Sequence, residues 1–215
     1  MKPLIVTGTD TSVGKTVVAA MLTLALNGTY WKPIQSGLAD KGDRERVADL
    51  TGLPASHFRP EAYRLRQPLS PHRAAEFDGV EIDPDALGLP GDIPDESWLI
   101  VEGVGGLLVP INRGMLLVEL FSRWRAPAVL VARTALGTIN HTLLSLEALK
   151  CHDVDVLGVI FVGESSPDSE RTIVEFGRVK RLGHLPLLPV LDAKTLNHAF
   201  ETHFHRGDFE DEYQP

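Results

Sequence analysis

Short, nearly continuous apolar runs recur along this chain. They contain few of the apolar–polar alternations that mark a half-exposed strand, and they lie at residues 4–7, 29–32, 98–101, 128–132, 156–161 and 184–189. Runs of this kind are typical of strands that are buried on both faces of a parallel sheet. The pattern therefore predicts a central sheet built from these six segments.

Segments with helical patterning lie between the apolar runs, at residues 15–26, 44–50, 117–124, 138–149, 169–178 and 193–203. In 138–149, apolar side chains recur at helical spacing and form one stripe. Strands that alternate with helices predict βαβ units with right-handed crossovers. We therefore expect an α/β protein in which helices flank a mostly parallel central sheet, with one domain spanning residues 1–215.

Three regions fall outside this alternation. Residues 36–43 are predicted to form a loop, and the proline-rich stretch 53–95 is expected to be irregular. Within that stretch, Ser70 followed by Pro71 and a run of good helix formers predicts a helix start. The acidic segment 207–215 is expected to fray.

Composition narrows the class of protein further. The chain has 215 residues, of which 43% are hydrophobic and 23% charged, the balance of a globular domain rather than a disordered, collagenous or coiled-coil protein. The formal net charge is −8, and lysine and arginine do not cluster, so nucleic acid is not an expected partner.

The cysteine count and the lengths of the apolar runs indicate the cellular compartment of the protein. Cys151 is the only cysteine, which excludes an intrachain disulfide and a cysteine-based metal site. No apolar stretch approaches the roughly 20 residues of a membrane span, and the start of the chain does not resemble a signal peptide. We expect a cytoplasmic protein without a membrane partner.

The strongest local motif is a phosphate-binding loop. Residues 8–16 read GTDTSVGKT and lie between a predicted strand and a predicted helix, as a P-loop requires. Backbone N–H groups and the helix N-terminus can bind phosphate oxygens, Lys15 adds a positive charge, and the Thr16 hydroxyl can ligate Mg²⁺. The motif is a variant, because Thr9 stands where the strict pattern has glycine.

Two further motifs follow predicted strands. Lys32 opens the sequence KPIQSG, and Glu102 ends a buried strand before the glycine-rich VGG of 104–106. Ligands of open α/β sheets bind at the carboxyl ends of the strands, so both side chains are expected beside the P-loop. Each of the two side chains could instead be solvated, but the P-loop favours a metal-binding role for Glu102.

Taken together, these motifs resemble the dethiobiotin synthetase family. The resemblance rests on GTDTxVGKT at 8–16, KPxxSG at 32–37, SPH at 70–72, VEGxGG at 101–106 and INH at 139–141, and it covers roughly residues 4–189. It implies a P-loop NTPase-like three-layer fold. It also implies a ligase that uses ATP, Mg²⁺ and CO₂ to close the ureido ring on 7,8-diaminononanoate through a carbamate and a carbamic–phosphoric anhydride.

The resemblance also implies site residues and a homodimer, in which the segment after the fourth central strand completes the partner's site. The implied catalytic residues are Lys32, Lys15, Thr11 and Ser36; the metal ligands are Thr16, Asp43 and Glu102; the substrate-binding residues are Ser36, Lys32, Gly137 and Asn140; and the nucleotide-binding residues are Ser12, Val13, Gly14, Lys15, Thr16, Val17, Asp43, Glu102, Gly103, Val104, Gly105, Val162, Gly163, Leu185, Pro186 and Leu187.

One position departs from the family pattern. Val162 stands where the family commonly has an asparagine that contacts the adenine edge. Loss of that amide leads to the hypothesis that other nucleoside triphosphates serve nearly as well as ATP.

Alternative functions remain open at this point. A partner-regulated ATPase of the partition type shares the P-loop superfamily, but it typically carries a second lysine early in the loop, where this chain has TDT at 9–11. A cobyrinate-type amidoligase needs a glutaminase part with a cysteine nucleophile, for which 215 residues leave no room. A binding module without catalysis leaves Lys32 and Glu102 unexplained.

Overall fold

The fold of the protein is described from a computed structural model that covers residues 1–39 and 41–210. Within these residues, six strands form one sheet in the order β2-β5-β1-β6-β7-β8, and every neighbouring pair is parallel. These strands are β1 (Lys2–Gly8), β2 (Thr29–Trp31), β5 (Trp98–Glu102), β6 (Ala128–Arg133), β7 (Val156–Val162) and β8 (Arg181–Leu185). The predicted parallel α/β architecture is confirmed.

Helices connect the strands and cover both faces of the sheet. They are α1 (Lys15–Ala25), α2 (Asp43–Thr51), α3 (Pro71–Asp78), α4 (Leu117–Trp124), α5 (Thr138–Cys151), α6 (Pro167–Gly177), α7 (Ala193–His203) and the short α8 (Gly207–Glu210). Ser70 and Pro71 occupy the N-cap and first position of α3, as predicted. Among the described residues, none of the helices is both long and apolar enough to cross a membrane.

Two apolar cores lie on opposite faces of the sheet. One packs α1 and α7 against residues such as Leu4, Val6 and Ile100. The other packs α4 and α5 against residues such as Ile5 and Leu130. Because alternate residues of each strand face opposite cores, these strands are apolar at almost every position, which explains the continuous runs in the sequence.

A second, small sheet was not predicted. β3 (Ile34–Ser36) pairs in parallel with β4 (Tyr63–Leu65), and each strand is three residues long. β3 includes Ser36, the first residue of the predicted 36–43 loop, and Asp40 in that loop lies outside the described residues. This sheet brings the residues after Lys32 beside α3.

Two other expectations need correction. The last central strand ends at Leu185, not at 189, because Pro186 and Pro189 have no N–H to donate to a sheet. The tail predicted to fray forms α8 over Gly207–Glu210, where Phe209 is fully buried. Residues 211–215 of that predicted tail lie outside the described residues.

Candidate active site

The loop between β1 and α1 has the geometry of a phosphate-binding loop. β1 ends at Gly8 and α1 begins at Lys15, with Gly14 as its N-cap at a φ of 101°, a conformation that favours glycine. A Cβ atom on Gly8 would lie only 2.6 Å from Cγ2 of Val13, so the loop also requires glycine at its start. The predicted position of the P-loop at the carboxyl end of β1 is confirmed.

Lys15 lies across this loop. Its ammonium donates to the backbone oxygen of Asp10 at 2.5 Å, and only 6% of the residue is exposed. Burial lowers the pKa of Lys15 to about 8, although the charge of Glu102 partly opposes that shift. The lysine is therefore held in a desolvated place, where its interaction with an anion is strengthened.

Glu102 is the centre of the side-chain cluster next to the loop. It is the last residue of β5 and is 1% exposed. Its Oε1 atom accepts from the Thr16 hydroxyl and from the Lys32 ammonium, both at 2.9 Å. Its Oε2 atom accepts from the Tyr30 hydroxyl at 2.8 Å. Burial and the neighbouring Glu102 charge hold the pKa of Tyr30 well above its ordinary value, so this hydroxyl stays a donor.

Lys32 joins Glu102 to a second carboxylate, that of Asp43. The Lys32 ammonium also donates to Asp43 Oδ2. Burial opposes the charged form of Lys32, but the carboxylates of Glu102 and Asp43 outweigh it and raise its pKa. Asp43 is the first residue of α2, and its backbone N–H donates to Gln35 Oε1 at 3.0 Å. Gln35 thus binds the α2 N-terminus from β3.

The oxygen atoms of this cluster fit Mg²⁺. Thr16, Asp43 and Glu102 offer a hydroxyl and two carboxylates, the hard donors that Mg²⁺ prefers, and all three border one cleft. Across residues 1–39 and 41–210, no group of three or more His, Cys, Asp or Glu side chains forms an all-protein metal site. Mg²⁺ in proteins is usually held by one or two carboxylates together with water and substrate phosphates.

The cleft that these residues border has a volume of about 990 Å³. It lies at the carboxyl ends of β1, β2 and β5, between the P-loop and α3. Of the residues predicted for the site, it is lined by Thr11, Ser12, Gly14, Lys15, Thr16, Val17, Lys32, Ser36, Asp43, Glu102, Val104 and Gly105. Ser36 Oγ is buried and has no hydrogen-bond partner within the described part of the chain. Its hydrogen-bonding capacity is therefore unused among these residues.

The other predicted residues do not line this cleft among the residues described. Val13 and Gly103 are buried beside it. Gly137 caps α5 at a φ of 93°, and Asn140 is exposed on that helix. The remaining five residues lie at the carboxyl ends of β7 and β8. Val162 and Leu185 are the last residues of these strands, and Gly163, Pro186 and Leu187 come after them.

Val162 packs against the P-loop. A Cβ atom on Gly14 would lie 3.0 Å from a methyl group of Val162. Gly163 follows it at a φ of 130° and donates to the backbone oxygen of Leu185 at 3.1 Å. The ends of β7 and β8 are thus bonded to each other beside the P-loop.

Sequence reasoning missed two residues of the cluster. Tyr30 lies in a predicted apolar strand, and the available signal is that a buried tyrosine hydroxyl usually has a polar partner. Gln35 is one of the two unspecified positions of the KPxxSG motif. Its role depends on the distance between β3 and α2, for which the sequence carries no signal.

The fold and the cleft together define a P-loop nucleoside triphosphatase-like protein. A family model described as an AAA domain matches residues 2–195. Among solved structures, the septum site-determining protein MinD of Pyrococcus horikoshii, complexed with Mg-ADP, has a TM-score of 0.57 at 12% identity, covering 92% of this chain and 86% of MinD. A ParA family ATPase of Chlorobium tepidum has a TM-score of 0.52 at 12% identity, covering 94% and 98%. These similarities show the fold.

Curated relatives identify the particular family. The ATP-dependent dethiobiotin synthetase BioD of Rhodopseudomonas palustris strain HaA2 is 56% identical over 208 residues, which cover 97% of this chain and 96% of the relative. The same enzyme of Brucella ovis is 54% identical over 207 residues, covering 96% of each. The chain therefore belongs to the ATP-dependent dethiobiotin synthetase family, and the resemblance inferred from its motifs is confirmed.

Proposed function

We propose that this protein closes the ureido ring of dethiobiotin, using MgATP, CO₂ and 7,8-diaminononanoate. The observation that supports this most is the second buried lysine of the cleft. Lys32 lies beside the P-loop lysine, Lys15, and is held by Asp43 and Glu102. A site that only binds nucleotide does not need this second cation, whereas a site that joins two anions does.

The proposed reaction has three steps. One substrate amine adds to CO₂ and loses a proton, which gives a carbamate. A carbamate oxygen then attacks the γ-phosphorus of ATP, the bond from that phosphorus to the bridging oxygen breaks, and ADP leaves. The second amine attacks the activated carbonyl carbon, a C–N bond forms, and inorganic phosphate leaves with the electron pair of the broken C–O bond.

Positive charge is the main contribution of the protein in the second step. The carbamate and the γ-phosphate are both anions and repel each other. Lys15 and Lys32 lower that repulsion and stabilise the charge that develops on the transferring phosphoryl group. Since both ammonium groups are already held by neighbouring oxygens, little reorganisation is needed during the reaction.

Hydroxyl and carboxylate oxygens complete the proposed site. Ser36 Oγ lacks a partner in the described structure and is available to bind a carbamate or phosphate oxygen, with Thr11 lining the same cleft. Thr16, Asp43 and Glu102 would hold Mg²⁺. That ion, when bound, neutralises phosphate charge and orients the phosphates. The backbone of Ser12 to Val17 would bind the phosphates.

The predicted residues outside the cleft are assigned to the nucleotide base and to substrate bound by a partner subunit. Val162 and Gly163 at the end of β7, and Leu185, Pro186 and Leu187 at the end of β8, would border the base of the nucleotide. Gly137 and Asn140 at the start of α5 would bind substrate in the partner subunit of a homodimer. The side chain of Leu136, next to Gly137, is fully exposed, and the proposed contact between copies would remove it from water. A cytoplasmic location is part of the same proposal.

The decisive experiment measures phosphate release from MgATP with neither, either or both of 7,8-diaminononanoate and bicarbonate. We expect release only when both are present, together with one dethiobiotin per phosphate by mass spectrometry. Phosphate release that ignores both compounds would contradict the proposal. It would favour a partner-regulated ATPase, a class that the fold also accommodates.

A further inference from the structure

Tyr30 is a buried polar residue that the proposed reaction does not use. It lies in β2, next to Trp31, and has no exposed surface. In the parallel pairing of β2 with β5, it lies opposite Ile100. Since residues i and i+2 of a strand share a face, Tyr30, Ile100 and Glu102 lie on the same face of the sheet.

The two ends of the Tyr30 side chain have different environments. Its ring belongs to the apolar core beneath α1. Its hydroxyl donates to Oε2 of Glu102, a residue that lines the cleft, at 2.8 Å. The ring is thus fixed by packing, and the hydroxyl is fixed with it.

The two oxygens of Glu102 consequently face different directions. Oε1 is bonded to Thr16 and Lys32, which both line the cleft, whereas Oε2 is bonded to Tyr30 in the core. A carboxylate that is bonded through only one oxygen can rotate about its last side-chain bond. The Tyr30 hydroxyl supplies the second point of attachment that prevents such rotation.

We propose that Tyr30 is a positioning residue for the metal-binding carboxylate of Glu102. Its hydroxyl holds Oε2 in the core, so that Oε1 is presented to the cleft beside the Thr16 hydroxyl. This inference rests on the proposed role of Glu102 as a Mg²⁺ ligand. Partners that orient a ligating carboxylate commonly change metal affinity by about 10-fold to 100-fold when they are removed.

The test compares two variants that each lose one hydroxyl. Y30F removes the hydrogen bond to Glu102 and keeps the ring. Y63F is the matched control, because the Tyr63 hydroxyl accepts from the backbone N–H of Asp83 at 3.0 Å and does not line the cleft in the described structure. Mn²⁺ serves as the probe. Its binding to each protein is measured by the loss of the free-ion EPR signal at one fixed concentration of β,γ-methylene-ATP, after subtraction of the loss that the nucleotide causes without protein.

We expect Y30F to bind Mn²⁺ about 10-fold more weakly than the wild type and to need correspondingly more Mg²⁺ for activity. Y63F should match the wild type in both. If Y30F retains wild-type Mn²⁺ affinity while its melting temperature falls, Tyr30 contributes only to packing and the inference is overturned. Because Mn²⁺ binding needs neither diaminononanoate nor bicarbonate, this result is separate from failure of the proposed reaction.

A second comparison covers the case in which Y30F does not fold because a buried carboxylate oxygen has lost its donor. E102Q removes the charge, and E102Q/Y30F removes the hydroxyl in that background. If Tyr30 acts through the carboxylate, the two variants bind Mn²⁺ equally. A further 10-fold loss in E102Q/Y30F would show that Tyr30 acts by another route and would also overturn the inference.

Discussion

The central sheet has two halves, β2-β5-β1 and β6-β7-β8. They differ in whether their predicted site residues bond to each other. At the carboxyl ends of β1, β2 and β5, the predicted side chains converge on one cleft and bond to each other, as Lys32 does with Asp43 and Glu102. At the ends of β6, β7 and β8, the predicted residues remain apart from that cleft in the described structure. They include the exposed Asn140 and Leu187.

This difference follows from chemistry. The first half carries buried charges, which are stable only when other groups of the same chain neutralise them, so its arrangement is visible in the chain alone. The second half offers glycine backbone, apolar side chains and the exposed Asn140, which need no partner within the chain. Its proposed ligands are a nucleotide base and a second copy of the chain. Substitutions that remove a buried charge therefore test the first half. Substitutions that disrupt a contact with a ligand or a second copy test the second half.

Removal of the Lys32 charge should have the largest effect. We expect K32A to lower kcat by about 10³-fold, because one of the two cations that stabilise phosphoryl transfer is lost. The variant also removes the cation that Asp43 and Glu102 share, although Arg46 stays 3.9 Å from Asp43. Breaking a buried ion pair in this way costs about 3–5 kcal/mol of folding stability. Initial rates at saturating MgATP and the free energy of unfolding in urea measure the two effects.

The matched control removes a lysine from a surface ion pair. Lys180 pairs with Asp208 at 3.0 Å on the side of α8, far along the chain from the cleft residues. K180A should keep the wild-type rate and lose less than about 1 kcal/mol of stability. A K32A variant that turns over at the rate of K180A would remove the chemical reason for assigning Lys32 to catalysis.

The exposed leucine at the start of α5 tests the other half of the sheet. We expect L136E to dissociate the proposed homodimer and to raise KM for diaminononanoate by about 30-fold, the effect of losing an interface residue worth about 2 kcal/mol. Analytical ultracentrifugation reports the oligomeric state, and steady-state rates report KM.

F176E is the control for a general effect of adding a carboxylate to an exposed apolar site. Phe176 is 76% exposed on α6. It should leave both the sedimentation coefficient and KM unchanged. A wild-type protein that sediments as a monomer at micromolar concentration would contradict the prediction directly.

The same contrast explains which parts of the structure the sequence could predict. Buried parallel strands need apolar residues at almost every position, so the six runs located the central strands to within a few residues. The P-loop could be located because its glycines and Lys15 form a short contiguous motif that determines the local backbone conformation. A three-residue strand such as β3 is too short to show any periodicity, and its pairing with β4 depends on contacts about 30 residues apart along the chain.

The hydrogen bonds between the site residues were harder to predict than the identities of those residues. Ligands bind at the carboxyl ends of parallel strands, and this rule predicted correctly that Lys32 and Glu102 lie beside the P-loop. The hydrogen bonds of Tyr30 and Gln35 depend instead on strand register and on the distance between α2 and β3, which a pattern of residue types does not encode. The contacts proposed for the residues at the ends of β7 and β8 are with a bound ligand, so neither the sequence nor the fold of this chain alone contains them.

Ser36 offers a smaller test of the first half. Its hydroxyl is buried without a partner in the described residues, so S36A removes no hydrogen bond of the fold. We expect the melting temperature to stay the same and kcat to fall by about 10-fold, the value of one hydrogen bond made only to the reacting groups. S166A, which loses a bond to Ser169 away from the cleft, should show the wild-type rate. A stability loss in S36A without a rate change would assign the hydroxyl to the fold instead.

Base selectivity is expected to show the smallest effect. Val162 cannot form the amide contact expected at this position, and its methyl groups pack against the P-loop beneath Gly14. We therefore expect GTP and CTP to support dethiobiotin formation within about 10-fold of the ATP rate, whereas a site built to hydrogen-bond one base rejects others by about 10⁴-fold or more. V162A should change KM for all three nucleotides by a common factor, since it loosens the loop that binds their shared phosphates. A strong preference of the wild type for ATP would mean that backbone groups after β7 and β8, such as those of Gly163 and Pro186, identify the base without a side-chain amide.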